Sequence, residues 1–494
     1  MFAADGPTVE WVDLPRVGEL RVSRAHTAHL PCTVWSNRDC ELDYEIMAPS
    51  KIIIDTDPGV DDILAMLLAF SAKAEELDIL MLSLTFGNVE VQNCLRNVVT
   101  LFHYIEKERA WRKENNRPEG FETLSARKPI VAVGAEEPLA EHMMVADFFH
   151  GIDGLGGIHH SVCIPFRLQK ISHPHLSPEE TWKSLFKPTP KSLSKDEAAA
   201  LQKVKEKHSL FEPSLKPAHE VMLDLLRENE PDTITIVAVG PLTNLAIAAA
   251  QDPETFLKVK EVVVMGGAVE APGNMTPGAE FNTYADSVAS ARIFALTSAN
   301  PHLTMPPTLS SDHKNAKLAS YPQKLSKRLK LKLFPLDTTG QHVLPKAMYE
   351  DYINLKPIKG SPLAEWTSLF LTATFAKDAT LNPQVDPVKQ GLALHDPLTV
   401  WYVLSATNPA WKFKKEDIRV ETSGQWTRGC LVVDRRGRPI TEGDGDLSEE
   451  VVGDAGGWRD SRRGNWVAWC TKSPGEGKFA RVLLHRVLGD GEQW

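Results

Sequence analysis

Cysteine is scarce in this chain: six in 494 residues, at positions 32, 40, 94, 163, 430 and 470. They are scattered, with no C-x-x-C pair, which excludes a disulfide framework and makes a reducing, cytoplasmic compartment the expectation. An excess of basic charge is missing as well. Lys plus Arg number 55 against 65 for Asp plus Glu, a formal net charge of −10, which argues against nucleic acid or an anionic membrane as the main partner and for a small ligand. No apolar run reaches the roughly 20 residues that a bilayer requires. The longest, Ile236 to Ala250, is interrupted by Gly240-Pro241 and Thr243-Asn244. The first thirty residues carry Glu10, Asp13, Arg16 and Glu19 where a secretory signal needs an unbroken apolar stretch, so no export signal is expected. Internal repeats are absent, and the hydrophobic (42%) and charged (24%) fractions exclude collagen, coiled coil and wholesale disorder. A soluble protein acting on a small ligand is the expectation.

The length would accommodate about three domains of ~150 residues, or one α/β domain carrying insertions. Residues 1–46 show neither a helical period nor strand alternation, so they read as a disordered N-terminal extension and the ordered protein is expected to begin near Met47. From there strand-like runs alternate with amphipathic stretches. Ile52 to Ile54 precedes Asp62 to Phe70, Ile79 to Thr85 precedes Asn93 to Ile105, Ile234 to Val239 precedes Leu242 to Ala250, and Val262 to Met265 follows. This rhythm predicts an α/β fold, an open and mostly parallel sheet with helices on both faces. Residues 47–494 then form a single domain. Three stretches rich in Lys, Pro, Ser or Glu read as surface insertions, near 107–128, 170–217 and 298–332, and Gly443 to Gly457 reads as a flexible loop. Ligands of such sheets sit beyond the carboxyl ends of the strands.

One strand-end turn stands out. Asp55-Thr56-Asp57-Pro58-Gly59-Val60-Asp61-Asp62 crowds four carboxylates between a strand and a helix. Helix capping and dipole compensation account for one or two acids there, not four. Like charges this close raise one another's pKa and destabilise the fold unless a cation or shared proton relieves them. With no Cys or His in the turn, the cation should be hard, Ca²⁺ or Mg²⁺, and held by oxygen. Two further motifs fall at predicted strand ends, Gly240-Pro241-Leu242-Thr243-Asn244 after Val239, and His395-Asp396-Pro397 after Leu394. Between them lie Met265-Gly266-Gly267, Gly273-Asn274 and Ala279-Glu280-Phe281-Asn282, whose amides and carboxylate suit a ligand with several hydroxyls. Taken singly, each reads equally well as a turn or ordinary loop hydrogen bonding.

Together, and with Gly87-Asn88, these motifs resemble the nucleoside hydrolases of the inosine-uridine-preferring type, in the family's order from about Lys51 to the C-terminal region. The resemblance implies a Rossmann-like nucleoside hydrolase fold and calcium-dependent hydrolysis of the N-glycosidic bond of ribonucleosides to base and ribose. It implies that Asp57, Asp62 and Asp396 bind Ca²⁺ through carboxylates and Val239 through its carbonyl, although many relatives have Thr at that last position. Asp61 and Asn282 would hold the ribose 2′- and 3′-hydroxyls, Asn274 and Glu280 the 5′-hydroxyl, while Met265 packs on the sugar and Asn88 orients it. His395 would face the base, and His150, in His150-Gly151-Ile152-Asp153-Gly154, resembles a loop histidine near the leaving group. A homo-oligomer, dimer or tetramer, is also implied.

Such a reaction needs positive charge at C1′, a protonated or stable leaving base and an activated water. Asp57 would act as general base on the water, a role worth about 10²- to 10⁴-fold. His395 would supply a proton to the base, since an imidazole titrates near neutral pH. Two rivals stay open. A haloacid-dehalogenase-type Mg²⁺ phosphatase also places Asp-x-Asp after an apolar strand, but Pro58-Gly59 breaks its pattern and leaves the later motifs without a role. A non-catalytic calcium- and nucleoside-binding relative would keep the same residues without turnover.

Overall fold

A strand covered on both faces is apolar at every position, and the three isoleucines 52 to 54 are of this kind. In the computed structural model of the protein, Ile52 and Ile54 pack into one hydrophobic core and Ile53 into a second. Val237 and Val263 join the first core, and Ile236, Ala238, Val262 and Val264 the second, following the two-residue period of a pleated strand. The structure describes residues 48–159, 181–187, 210–307, 318–386, 390–442, 447, 453–475 and 477–489. Among these, the strands are β1 (Ser50–Thr56), β2 (Leu77–Leu84), β3 (Ile130–Val133), β4 (Glu212–Pro213), β5 (Ile234–Ala238), β6 (Glu261–Met265), β7 (Leu331–Phe334), β8 (Val343–Pro345), β9 (Gly391–Ala393), β10 (Lys412–Asp417), β11 (Arg419–Val420), β12 (Leu431–Val432) and β13 (Trp466–Lys472).

Nine of them form one sheet in the order β10-β13-β7-β6-β5-β1-β2-β3-β4. Every neighbouring pair in it is parallel except β10 with β13. Helices 60–70, 91–114, 362–381, 395–404 and 479–488 supply the first core, and helices 218–228, 243–251 and 287–295 the second. The α/β architecture expected from the sequence is therefore the fold. After β1 the chain runs outward through β2, β3 and β4, then returns to the other side of β1 with β5, β6 and β7. Connections leaving β1 and β5 diverge at their carboxyl ends, which opens the crevice where ligands of such sheets bind. The helix Val60–Phe70, buried along its whole length, packs against the helix His395–Leu404. That contact brings Asp61 and Asp62 beside Asp396 from more than 300 residues away.

Parts of the three stretches expected as insertions are built into the fold. Residues 107–114 continue the helix Val91–Glu114, because Glu108 and Arg112 face inward as a satisfied pair instead of outward to solvent. Glu108 accepts from Arg112 Nε (2.7 Å), Ser361 Oγ (2.6 Å) and the Leu363 amide (3.2 Å), while Arg112 also reaches the Val487 carbonyl (2.7 Å). Within 170–217 the described residues include buried Leu185, Leu210 and Phe211, and β4 at the sheet edge; the rest lies outside the described residues. Within 298–332, Tyr321, Leu329 and Leu331 are buried, and β7 starts at Leu331 in the interior of the sheet. Lysines misled the reading here, since a long side chain carries its charge to the surface from a buried backbone. The expectation for 1–46 lies outside the described residues, all of which fall within the unit Met47–Trp494, and most of Gly443 to Gly457 is also outside them. Among the described residues no helix is long and apolar enough to cross a membrane.

The buried Glu108–Arg112 pair yields a stability test. Arg112→Leu strands the Glu108 carboxylate without its charge partner, which for buried pairs costs about 3–5 kcal/mol. The unfolding midpoint in urea should drop accordingly; a midpoint within error of the parent would show that the pair is dispensable.

Candidate active site

The acidic turn hangs from the end of β1, where the strand passes its carboxylates into the crevice in turn. Asp55 is fully buried and points sideways, accepting from Ser83 Oγ and from Asn244 Nδ2 (2.9 Å). Burial pushes its carboxyl up to about 7 against those two hydrogen bonds. Asp62 is the most heavily bonded of the four. Its Oδ1 accepts from Thr56 Oγ1 (2.6 Å) and the Asp57 amide (3.2 Å), and its Oδ2 from the Gly59 amide (3.0 Å) and Asn88 Nδ2 (2.8 Å). The Gly59 bond caps the helix 60–70. Asp57 sits between two glycines. A Cβ at Gly87 would stand 2.0 Å from its Oδ2, and one at Gly240 2.6 Å from its Oδ1. Asp57 Oδ2 accepts from the Asn88 amide at 2.7 Å, whereas Oδ1 is buried and accepts no hydrogen bond among the described residues.

Three carboxylates converge. One oxygen each from Asp61, Asp62 and Asp396 lies within 4.8 Å of the others, and all three side chains are buried. Burial, then repulsion from Asp62, pushes Asp61 up to about 8. Burial with the charges of Asp61, Asp62 and Asp57 holds Asp396 far above the ordinary carboxylate range, and burial with Asp62 does the same to Asp57. Burial also raises Asp62, although its hydrogen bonds oppose the rise. Oxygen-rich, cramped and starved of positive charge, this cluster fits a hard divalent cation. The unpartnered Asp57 Oδ1 and the Val239 carbonyl lie at the same strand ends. Val239 O accepts from Asn282 Nδ2 at 2.7 Å and keeps a second lone pair.

Beyond the carboxylates a cavity of about 670 Å³ opens. Of the residues singled out in the sequence, Asp61, Asn88, His150, Val239, Met265, Asn274, Glu280, Asn282, His395 and Asp396 all line it. Asp57 and Asp62 do not; they lie behind its wall. Glu280 caps the short helix Phe281–Ala285 by accepting from the amides of Asn282 (2.8 Å) and Thr283 (3.0 Å), and it also accepts from the Gly267 amide (2.7 Å). Asn274 Oδ1 accepts from the Phe281 amide (2.9 Å), so the Gly273-Asn274 and AEFN segments form one tied loop.

Both histidines depart from the near-neutral titration expected. Burial pushes His395 down to about 4, and burial plus the charge of His395 pushes His150 to about 3. Each is a neutral imidazole at pH 7. His150 Nδ1 accepts from the Val60 amide (3.2 Å), so its proton rides on Nε2. His395 Nδ1 meets Thr339 Oγ1 at 2.8 Å. Sequence reasoning missed the rest of the wall. Phe148 and Phe149 precede His150, and Asp378, Leu381, Asn382 and Val385 come from the end of the helix Pro362–Leu381 and the segment after it. No motif marks those last four, because a helix end of mixed polarity reads as ordinary surface.

Fold and site together define a doubly wound α/β protein with a buried acidic cluster at the carboxyl ends of its central strands. The family model described as inosine-uridine preferring nucleoside hydrolase matches residues 52–455, and the chain belongs to that family of enzymes. Uridine nucleosidase 1 of Arabidopsis thaliana is 34% identical over 245 residues, 49% of this chain and 53% of that protein. A non-specific ribonucleoside hydrolase, RihC, of Klebsiella pneumoniae is 27% identical over 388 residues, 78% of this chain and 89% of that protein. Among solved structures, a plant nucleoside hydrolase, PpNRh1, superposes with a TM-score of 0.55 at 21% identity, covering 89% of this chain and 99% of that one. A purine-preferring ribonucleoside hydrolase from Gardnerella vaginalis gives 0.55 at 18%; at these identities the likeness is one of fold.

The raised carboxyls make stability depend on pH in a definite direction. Asp61 moves from 3.8 to about 8 on folding, and Asp55 and Asp286 move to about 7. A group whose pKa rises on folding stabilises the fold below its unfolded pKa and loses that contribution as pH climbs through the folded value. In excess chelator the protein should therefore become less stable between about pH 4 and pH 8, and Asp61→Asn should flatten the slope. Urea midpoints at pH 5 and pH 8 measure it; a midpoint rising with pH would refute the charge balance described.

Proposed function

We propose that this enzyme hydrolyses the N-glycosidic bond of ribonucleosides with a calcium ion in its acidic cluster, releasing base and ribose. The observation that carries this reading is the adjacency of three convergent buried carboxylates, two of them lining the cavity, to two buried imidazoles in its wall. Asp57, Asp62 and Asp396 would hold the ion through carboxylates and Val239 through its carbonyl. When bound, Ca²⁺ would neutralise the cluster, polarise a water and orient the ribose diol.

The chain's own groups do the rest. Asp61 and Asn282 would accept from and donate to the 2′- and 3′-hydroxyls, and Asn274 and Glu280 would hold the 5′-hydroxyl. Met265 gives the sugar an apolar floor, and Asn88, bonded to both Asp57 and Asp62, keeps the turn and the ribose in one frame. Asp57 would take a proton from the attacking water as the water oxygen bonds C1′ and the bond from C1′ to the base nitrogen breaks. Its unpartnered Oδ1 supports that role, since a carboxylate oxygen without a donor is free to accept a proton. Acidic side chains around the ribose favour positive charge at C1′ in the transition state. His395 and His150 would meet the departing base. Neutral at pH 7, they would act as N–H donors rather than as imidazolium acids. A phosphatase reading gains nothing here, because among the described residues no Lys or Arg lines the cavity to receive a phosphate.

Exhaustive chelation should abolish release of ribose from inosine or uridine, and Ca²⁺ should restore it; full turnover in a verified metal-free sample would sink the calcium assignment. Asp57→Asn should lower kcat about 10²-fold or more on any nucleoside.

His395→Ala should slow inosine hydrolysis strongly yet leave p-nitrophenyl riboside, whose leaving group departs as an anion, nearly untouched. Equal losses on the two substrates would move His395 from the base to the support of Asp396.

A further inference from the structure

Asn97 lies in the middle of the helix Val91–Glu114 and is fully buried. All three of its described hydrogen bonds leave that helix. Its Nδ2 donates to the Pro58 carbonyl (2.8 Å) and to the Asp153 carbonyl (2.9 Å), and its Oδ1 meets His159 Nε2 (2.8 Å). Pro58 belongs to the acidic turn, one residue after Asp57. Asp153 and His159 belong to the segment that follows His150. One amide therefore holds the acidic turn and the segment after His150 against each other.

The contact closes a ring. His150 Nδ1 accepts from Val60, two residues beyond Pro58, and Asp153 follows His150 by three. The segment from Gly151 to His159 is costly to order, because Gly151, Gly154, Gly156 and Gly157 all adopt the left-handed region. Its inner bonds come from Asp153, whose carboxylate accepts from the amides of Leu155 (2.9 Å), Gly157 (2.8 Å) and His159 (2.7 Å). No side chain fits at Gly154, where a Cβ would stand 2.8 Å from Asn97 Nδ2 and 3.1 Å from the Pro58 carbonyl. The chemistry at 97 is selective too. Two carbonyls need two N–H donors from one side chain while an acceptor faces an imidazole; an amide supplies that set and a carboxylate does not.

Resting on the reading that His150 meets the leaving base, we propose that Asn97 is a positioning residue that locks the 150–159 segment onto the acidic turn and so aims His150 Nε2–H at the departing base. Asn97 touches no substrate; it acts through His150. Its loss should weaken leaving-group assistance and spare the ribose and metal contacts, which also depend on the helices 60–70 and 395–404 and on the tied loop at 273–282.

The test uses the full chain with Ca²⁺ present, and kcat and KM for inosine and p-nitrophenyl riboside in the parent, Asn97→Ala, His150→Ala and the double variant. Asn97→Ala should lower kcat for inosine about tenfold or more and change p-nitrophenyl riboside less than about twofold. In the His150→Ala background the same change should cost less than about twofold, the non-additivity expected of residues acting through one group. Hydrogen exchange should rise about tenfold or more at amides 154–159 and stay unchanged in β1 and β5. Asp153→Asn, which weakens the same ring from its outer side, gives the same pattern and carries the test if Asn97→Ala fails to fold. Equal losses on both substrates, additivity with His150→Ala, or unchanged exchange would each overturn the proposal. If the parent cleaves neither substrate, the functional reading falls, and the exchange comparison still decides whether Asn97 holds the segment.

Discussion

Negative charge packed where water is excluded is the constraint on which this structure turns. Four carboxylates in eight residues leave β1, a fifth comes from the helix 395–404, and all five are buried. Their neighbours are arranged around that cost. Asp62 receives four donors, Asp55 receives two, and Asp57 is given room by glycines at 87 and 240 that could carry no side chain. A fold that sought only stability would replace such a cluster by apolar side chains. Retaining it makes sense where a cation completes it, and the metal-free form then carries raised carboxyls as the cost of a ready-made site.

The sheet explains how residues so distant in sequence share that cluster. Strand β1 is flanked by β5 and β2, so the turns after three adjacent strands, at Asp57, Gly87-Asn88 and Val239-Gly240, meet at one place. With β6 next to β5, Met265 falls beside them. Two cores clamp the strands from opposite faces, and the wholly buried helix 60–70 leaves its first turn no freedom to relax away from Asp396. Rigidity at strand ends is what a constellation of charges needs, since carboxylates repelling one another would otherwise move apart.

Much of this was legible in the sequence, for identifiable reasons. Apolar runs such as 52–54 and 234–239 signal doubly covered strands, and a turn of four acids is too costly to be ordinary. Of the twelve residues singled out in the sequence, ten line the cavity and two back it. What was not legible depends on contacts between remote segments. Asn97 reads as a polar residue in a helix until Pro58 and Asp153 are seen against it. Asp378 and Asn382 read as surface until the helix 362–381 ends at the cavity mouth. The stretches near 107–128 and 298–332 read as surface insertions because the pairing of Glu108 with Arg112 and the burial of Leu329 and Leu331 are tertiary facts.

The directions of the pKa shifts divide the ionisable groups of the site into two chemically distinct sets. Desolvation penalises whichever form is charged, so it raises the carboxyls and lowers the imidazoles. It thereby leaves both His150 and His395 uncharged beside a cluster that would otherwise attract their protons. Had either histidine been cationic, it would compete with a metal for the carboxylates. Kept neutral, and in the case of His150 held by Val60 with its proton on Nε2, they would offer donors to a leaving base while a cation alone supplies positive charge at the sugar. The same burial would then serve both needs of the proposed cleavage, raising the carboxyls that a cation would neutralise and keeping uncharged the imidazoles beside them.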